Sequence, residues 1–232
     1  MTRKTKQSRT GITLIEMVIA VGAAALISAV VLIVINPPEL LRESRDGTRL
    51  ADTITLRRAI EIFGAQSNLP PPTPNLIYIS IPDPNAPAGS RSNCGGLGLP
   101  ELSPPWEYRC ASTTDARRTD GRGWVPVNFN TLSLGFFPAL PIDPVNNPMN
   151  GQFYAYVDGG YAFATLLESK KYLRRAALYD LGTDPARHES GPDMRLWAQA
   201  SELSAYWTFD DSNAQSITDV SGNGNHGELR EN

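Results

Sequence analysis

Cysteine and histidine are nearly absent from this 232-residue chain, with two of each. Cys94, Cys110, His188 and His226 are too few and too scattered to argue for a zinc site. Charge is also sparse. Asp, Glu, Lys and Arg make up 19% of residues, the net charge is −3, and no long run carries one sign. Nothing in that balance suggests a dedicated nucleic-acid surface. The small basic clusters Arg117-Arg118 with Arg122, and Lys170-Lys171 with Arg174-Arg175, read as solvated surface. Catalytic motifs are missing too: there is no Gly-x-Ser-x-Gly elbow, no His-Glu-x-x-His and no cysteine–histidine pair in a recognisable context. Gly95-Gly-Leu-Gly98 has neither a strand before it nor a helix after it, so it reads as a loop and not a phosphate cradle. The chain therefore reads as a non-enzyme.

What the chain does have is one long apolar run near its start. From Ile12 to Ile35 the only charge is Glu16, and the preceding segment carries Arg3, Lys4, Lys6 and Arg9 with no acidic residue. About 20 apolar residues suffice to cross a bilayer. A basic flank stays cytoplasmic, so the rest of the chain is expected to be exported. Hydropathy alone favours an uncut signal anchor. The remainder is comparatively polar, and 19 Gly and 19 Pro point to a loop-rich body.

The expected divisions are a basic leader at 1–11, an apolar helix at 12–35, an amphipathic helix at 36–66, a globular head at 67–200 and a separate tail at 201–232. Asn36-Pro37-Pro38 should break the helix, with Pro38 opening the next one. Between 39 and 65, Leu40, Ala51 and Ile54 share an arc that Ala59, Ile60 and Phe63 continue with some drift. Arg42, Arg45, Asp46, Arg49, Asp52 and Arg57 fall mostly on the other side, where they are expected to solvate a face. A proline-rich connector at 68–76 follows. Strands are expected at Leu76–Ile81, Trp106–Arg109, Trp124–Phe129, Phe153–Val157 and Tyr161–Leu166, the last two joined as a hairpin at Asp158-Gly-Gly160. Loops are expected at 82–105, 110–122 and 182–193. The tryptophans are read as core residues or lids over it.

Glu16 needs an explanation, because a carboxylate in the membrane costs about 2.5–3.5 kcal/mol at a helix centre. Two readings fit. Thr13-Leu-Ile-Glu16 has the spacing of a capping box. Alternatively, a cut after Gly11 gives Ile12 a free ammonium one helical turn from Glu16 and within reach of a neighbouring subunit's Glu16; in lipid such a pair favours correct register. Cys94 and Cys110 suggest one disulfide, worth about 3 kcal/mol for a loop of that length, with two free thiols or half a metal site as alternatives.

Lys6-Gln-Ser-Arg-Thr-Gly11 followed by Ile12-Thr-Leu-Ile-Glu16-Met-Val-Ile-Ala resembles the leader and mature start of type IV prepilins and type II secretion pseudopilins. The resemblance implies that a membrane aspartyl peptidase cuts after Gly11, that the same enzyme methylates Ile12, and that Glu16 aids filament assembly. Ile12 departs from the commonest residue there, phenylalanine. Asn36–Asp46 and Arg49–Asp52 look like the second half of the helix in pilin-like proteins, and Gly123–Phe129, Leu140–Asn147, Tyr154–Tyr156, Tyr161–Phe163 and Leu167–Ser169 look like pilin body segments. In pseudopilins the loops of this region can hold calcium, which makes Asp143, Asp158, Asp180, Asp184 and Asp193 weak candidates; ordinary Asp-Pro and Asp-Gly turns are the competing reading.

The tail differs in character. Tyr206–Asn213 and Asp219–Leu229 resemble the opening strands of concanavalin-like, laminin G-like sandwiches. The residues after Ser204 are too few to bury such a core, so the tail is expected to be a partial copy or an added hairpin. Asp219, Ser221, Asn223 and Asn225 alternate like a calcium loop, but Arg230 stands where an EF-hand needs glutamate.

The combined expectation is an α+β fold, with a long, kinked N-terminal transmembrane helix packed on a small antiparallel sheet. Its role would be that of a structural pilus or pseudopilus subunit. Its partners would be the prepilin peptidase/methyltransferase, other pilin subunits and the membrane, with no specific nucleic acid and no cofactor beyond possible calcium. It would be a single-pass cytoplasmic-membrane protein with its head exported, later built into a periplasmic or extracellular filament. The rival expectation is a membrane-anchored surface adhesin or glycan-binding protein that never polymerises.

Overall fold

The computed structural model describes residues 12–66, 73, 75–132, 138–158, 161–177, 180, 182, 184–193, 196–197, 207, 216–218 and 225–228. The leader at 1–11, including Gly11, and most of the tail at 201–232 lie outside the described residues. The chain divides into two compact units, Met1–Leu41 and Arg42–Asn232.

The first unit is dominated by helix α1 (Leu14–Ile35, 22 residues). Thr13 caps its start, and Asn36 ends it in the left-handed region at φ 49° and ψ 68°. Asparagine tolerates this conformation better than most residues, which makes it a serviceable stop. Pro37 and Pro38 then occupy the first two positions of α2 (Pro37–Gln66), where their missing N–H groups cost nothing. The break expected at Asn36-Pro37-Pro38 falls at Asn36, and the next helix opens at Pro37, one residue before the expected Pro38.

Among the described residues no helix is long and apolar enough to cross a membrane. The side chains described in α1 stop at Ser28, and Leu14–Ser28 spans only about 22 Å at ~1.5 Å per residue. From Ile12 to Ser28 every residue is exposed, Ile12 and Leu14 by 79% and 83%.

The second unit is an α+β body. Its six-stranded sheet comprises β1 (Leu76–Asp83), β2 (Arg91–Ser92), β3 (Glu107–Ser112), β4 (Tyr154–Val157), β5 (Ala162–Leu166) and β6 (Arg187–Ser190), in the order β2-β3-β1-β4-β5-β6. The expected antiparallel sheet is corrected to a mixed one, because β3 pairs with β1 in parallel (Ile77 opposite Tyr108, Ile79 opposite Cys110) while the other pairs are antiparallel. The chain crosses over through 84–106, which turns β3 to run alongside β1.

Both sheet faces are buried. Tyr78, Tyr154, Tyr156 and Phe163 pack with Leu56, Ile60 and Phe63 of α2 and with Trp124. Alternate residues, Ile77, Ile79, Phe153, Ala155 and Val157, pack on the opposite face with Tyr108, Cys110 and Trp197. This is the period-two signature of strands covered on both sides.

Three further expectations are corrected. Trp124–Phe129 is not a strand; it is an irregular segment ending in a 3₁₀ turn at Phe129–Thr131, with Trp124, Val125 and Val127 filling the core on the α2 side. The loop expected at 182–193 contains β6, which pairs with β5. The buried face of α2 is not the Leu40/Ala51/Ile54 arc, since all three are exposed; it is Asp46, Arg49, Thr53, Leu56, Ala59, Ile60 and Phe63. Asp46 and Arg49 are therefore buried, not solvating a face.

In the tail, β7 (Ser216–Ile217) and β8 (Gly227–Glu228) form a two-stranded antiparallel ladder, and the Trp207 indole N–H donates to the Asn225 carbonyl at 2.9 Å.

Candidate functional site

The amino end of α1 is a closed capping box. The Glu16 amide donates to Thr13 Oγ1 at 3.3 Å, and the Thr13 amide donates to Glu16 Oε2 at 3.3 Å. The Thr13 hydroxyl also donates to Glu16 Oε2, at 3.4 Å. Both backbone donors are orphans of the first turn, so the box satisfies two groups that helix geometry leaves open. These contacts are long, and Glu16 itself is exposed. A carboxylate has more acceptor sites than one turn of helix uses, so Glu16 keeps capacity for a cation. Farther along, the Ser28 hydroxyl donates to the Ala24 carbonyl at 2.8 Å, hiding its polarity within the helix.

The second arrangement is an ionic cluster centred on Arg49, a side chain with no exposed area. Its Nε and Nη2 bond both oxygens of Asp143, at 2.7 and 3.0 Å. Its Nη1 reaches Asp46 at 2.8 Å and Glu168 at 2.5 Å. Arg45 joins through a fork to both oxygens of Glu168, at 2.9 and 2.5 Å. Three carboxylates thus surround two guanidiniums. The excess negative charge is met by neutral donors: Asp46 accepts from the Glu168 and Ser169 amides and the Ser169 hydroxyl, and Asp143 from the Val145 and Asn146 amides.

Burial pulls the Arg49 guanidinium down, but its bonds to Asp143, Asp46 and Glu168 outweigh this and hold it above its ordinary value. Bonds from Arg45 bring the Glu168 carboxyl down to about 2, helped by Arg49 and opposed by burial. One turn of α2 is thereby tied to the loop after Leu140 and to the turn after β5. Nearby, the Tyr154 hydroxyl donates to Asp52 at 2.7 Å, adding a third tether between α2 and the sheet. Every charge in the cluster has a fixed partner, so the cluster holds α2, the loop after Leu140 and the turn after β5 in place.

The weak calcium candidates are distributed among other tasks. Asp143 holds Arg49. Asp158 accepts from the Thr73 amide at 2.9 Å. Asp180 accepts from the Gly182 and Glu189 amides at 2.8 and 2.7 Å and lies 3.1 Å from His188 Nδ1. Asp184 accepts from the Ala186 amide and pairs with Arg187 at 3.3 Å. The Asp193 carbonyl accepts from the Leu196 amide at 3.5 Å. Among the described residues no group of three or more His, Cys, Asp or Glu is arranged to hold a metal ion.

Cys94 and Cys110 are joined, with Cα atoms 5.3 Å apart, and the bond closes the loop between β2 and β3. Of the remaining predicted site residues, Ile12 lies just before the N-cap Thr13 and Glu16 in the first turn of α1, both exposed, while Gly11 lies outside the described residues. Sequence reasoning missed the Arg49 cluster. The signal was available: stepping back from Phe63 and Ile60 through Leu56 and Thr53 at alternating intervals of three and four lands on Arg49 and Asp46. Against known proteins, no family model, no curated protein and no solved structure matches this chain.

Proposed function

We propose that the chain is a type IV pilin-like subunit of a pilus or a type II secretion-like pseudopilus. It would be cut after Gly11, methylated at Ile12 and polymerised through α1. The observation that carries this reading is the coincidence of Gly11, Ile12 and Glu16 at the head of an apolar helix exposed along its described length. Such a helix is stable in water only when something apolar covers it. Before assembly the cover is lipid, for which the apolar run Ile12–Ile35 of the sequence has the ~20 residues that a span needs. After assembly the cover is the α1 helices of neighbouring subunits.

Glu16 serves both stages. The capping box makes the carboxylate tolerable in an isolated subunit. In the filament, the ammonium created at Ile12 is the cation for which Glu16 has spare capacity, and an ion pair between subunits sets register because an unpaired charge in an apolar core is costly. The Arg49 cluster supports the same reading by fixing α2 to the body, so that force along the helices is passed to the head. The disulfide fits an exported head.

The test is Glu16→Ala in cells that assemble the filament. Membrane insertion should be unchanged and incorporation into filaments strongly reduced. Normal filaments built from Glu16→Ala subunits would refute the pairing, and with it the role given to Ile12.

A further inference from the structure

A groove lies beside the disulfide-closed loop of the head. A cavity of about 520 Å³ runs past Gly96, Leu99 and Trp106, and a second of about 230 Å³ runs past Asp184, Arg187 and Trp197. The two are adjacent and share Pro100, Glu101, Leu102 and Tyr108 in their linings. The larger alone falls within the ~300–1,000 Å³ typical of ligand clefts.

Its lining mixes aromatic surface with polar groups that have no work in the folded chain. The Trp197 indole N–H is buried without a hydrogen-bond partner. Among the described residues the Tyr108 hydroxyl and the exposed Glu101 carboxylate also make no hydrogen bond or ion pair. Burial pushes the Tyr108 hydroxyl up to about 12, so it remains a donor at every physiological pH. Trp106 is half-buried against the core and leaves part of its ring to the larger cavity.

Charge decides the ligand class. In the shared and smaller parts of the groove, Glu101 and Asp184 outnumber the single cation, Arg187, which is already 3.3 Å from Asp184. That balance disfavours phosphate, sulfate and carboxylate ligands. The Arg187 guanidinium also lies 4.3 Å over the Trp197 ring, so that face is closed to a second cation. What remains is a neutral molecule with one apolar face for Trp106 and hydroxyls that can both donate to Glu101 and accept from Tyr108. We propose that the groove binds a neutral oligosaccharide. This holds whether or not α1 polymerises, and it places recognition in the head and not in the 201–232 tail.

The test uses the full-length chain in a sugar-free detergent, applied to an array of neutral, sialylated and sulfated oligosaccharides. The neutral ligand retained best is then titrated against wild type, Tyr108→Phe and Glu101→Gln. Among the described residues neither the Tyr108 hydroxyl nor the Glu101 carboxylate has a hydrogen-bond partner, and Tyr108→Phe keeps the ring that packs edge-on to Phe153, so both variants should unfold at the wild-type temperature. Each should weaken binding at least about tenfold. Retention of acidic glycans alone, no neutral glycan bound at about 1 mM, or wild-type affinity in both variants would overturn the proposal.

Discussion

Replacing Arg49 with methionine removes four hydrogen bonds to three carboxylates and leaves Asp46 and Asp143, both buried, without a cation. Methionine keeps most of the volume, so the loss is electrostatic and not a cavity. Breaking one side of a buried ion pair costs about 3–5 kcal/mol, a large share of the ~5–15 kcal/mol that holds a typical domain folded. For a body of this size that corresponds to a drop of about 6–20 °C in Tm.

The pH dependence gives an independent signature. In the wild type, Glu168 has a depressed carboxyl; its contribution is full above its ordinary value near 4.5 and disappears as pH falls to about 2. In Arg49→Met, Glu168 loses one of the two guanidiniums that hold its carboxyl down, so this acid-sensitive contribution shrinks. Urea unfolding can be followed by the fluorescence of Trp124, which is fully buried in the core that α2 covers. Adding Asp143→Asn to Arg49→Met should recover part of the loss, because one unpaired charge is then removed. An Arg49→Met protein within about 1 kcal/mol of wild type at neutral pH, or one with the wild-type pH profile, would refute this reasoning.

Two further substitutions test the head. A Cβ added at Gly123 would lie 2.0 Å from the Arg118 carbonyl oxygen and 2.5 Å from Leu140 Cδ1. Gly123→Ala should therefore cost about 3 kcal/mol, read as a lowered thermal midpoint; an unchanged midpoint would show that the Trp124 segment packs differently. Removing both cysteines (Cys94→Ala with Cys110→Ala) should destabilise by about 3 kcal/mol, given their sequence separation of 16. Urea unfolding of oxidised wild type against the double variant measures it, and equal midpoints would contradict the estimate.

Legibility from sequence followed how local the cause was. β1, β4 and β5 alternate apolar residues, and the loop Asp158–Tyr161 keeps β4 and β5 adjacent in the chain, so their existence and pairing could be read. The cysteine pair could be read by counting. β6 could not, because Arg187-His-Glu-Ser190 has no apolar alternation; its residues are held by pairing with Phe163–Leu166. The parallel pairing of β3 with β1 depends on a crossover more than twenty residues long, which no local pattern encodes. The buried face of α2 was misjudged for a chemical reason. Periodicity puts Asp46 and Arg49 on the buried stripe, but their charge argues for solvent, and only partners distant in sequence, Asp143 and Glu168, stabilise them when buried. The capping role of Thr13 and Glu16 was legible because it spans three residues. Their intersubunit role involves a second copy of the chain and rests on the resemblance.

The most direct measurement is intact-mass and N-terminal peptide spectrometry of the protein isolated from membranes or filaments. A mature chain beginning at Ile12 and carrying one added methyl group is the expected result. A chain that keeps residues through Thr10 ahead of an uncut Gly11–Ile12 bond would contradict it, because Glu16 would then have no ammonium to meet and α1 would be a simple anchor.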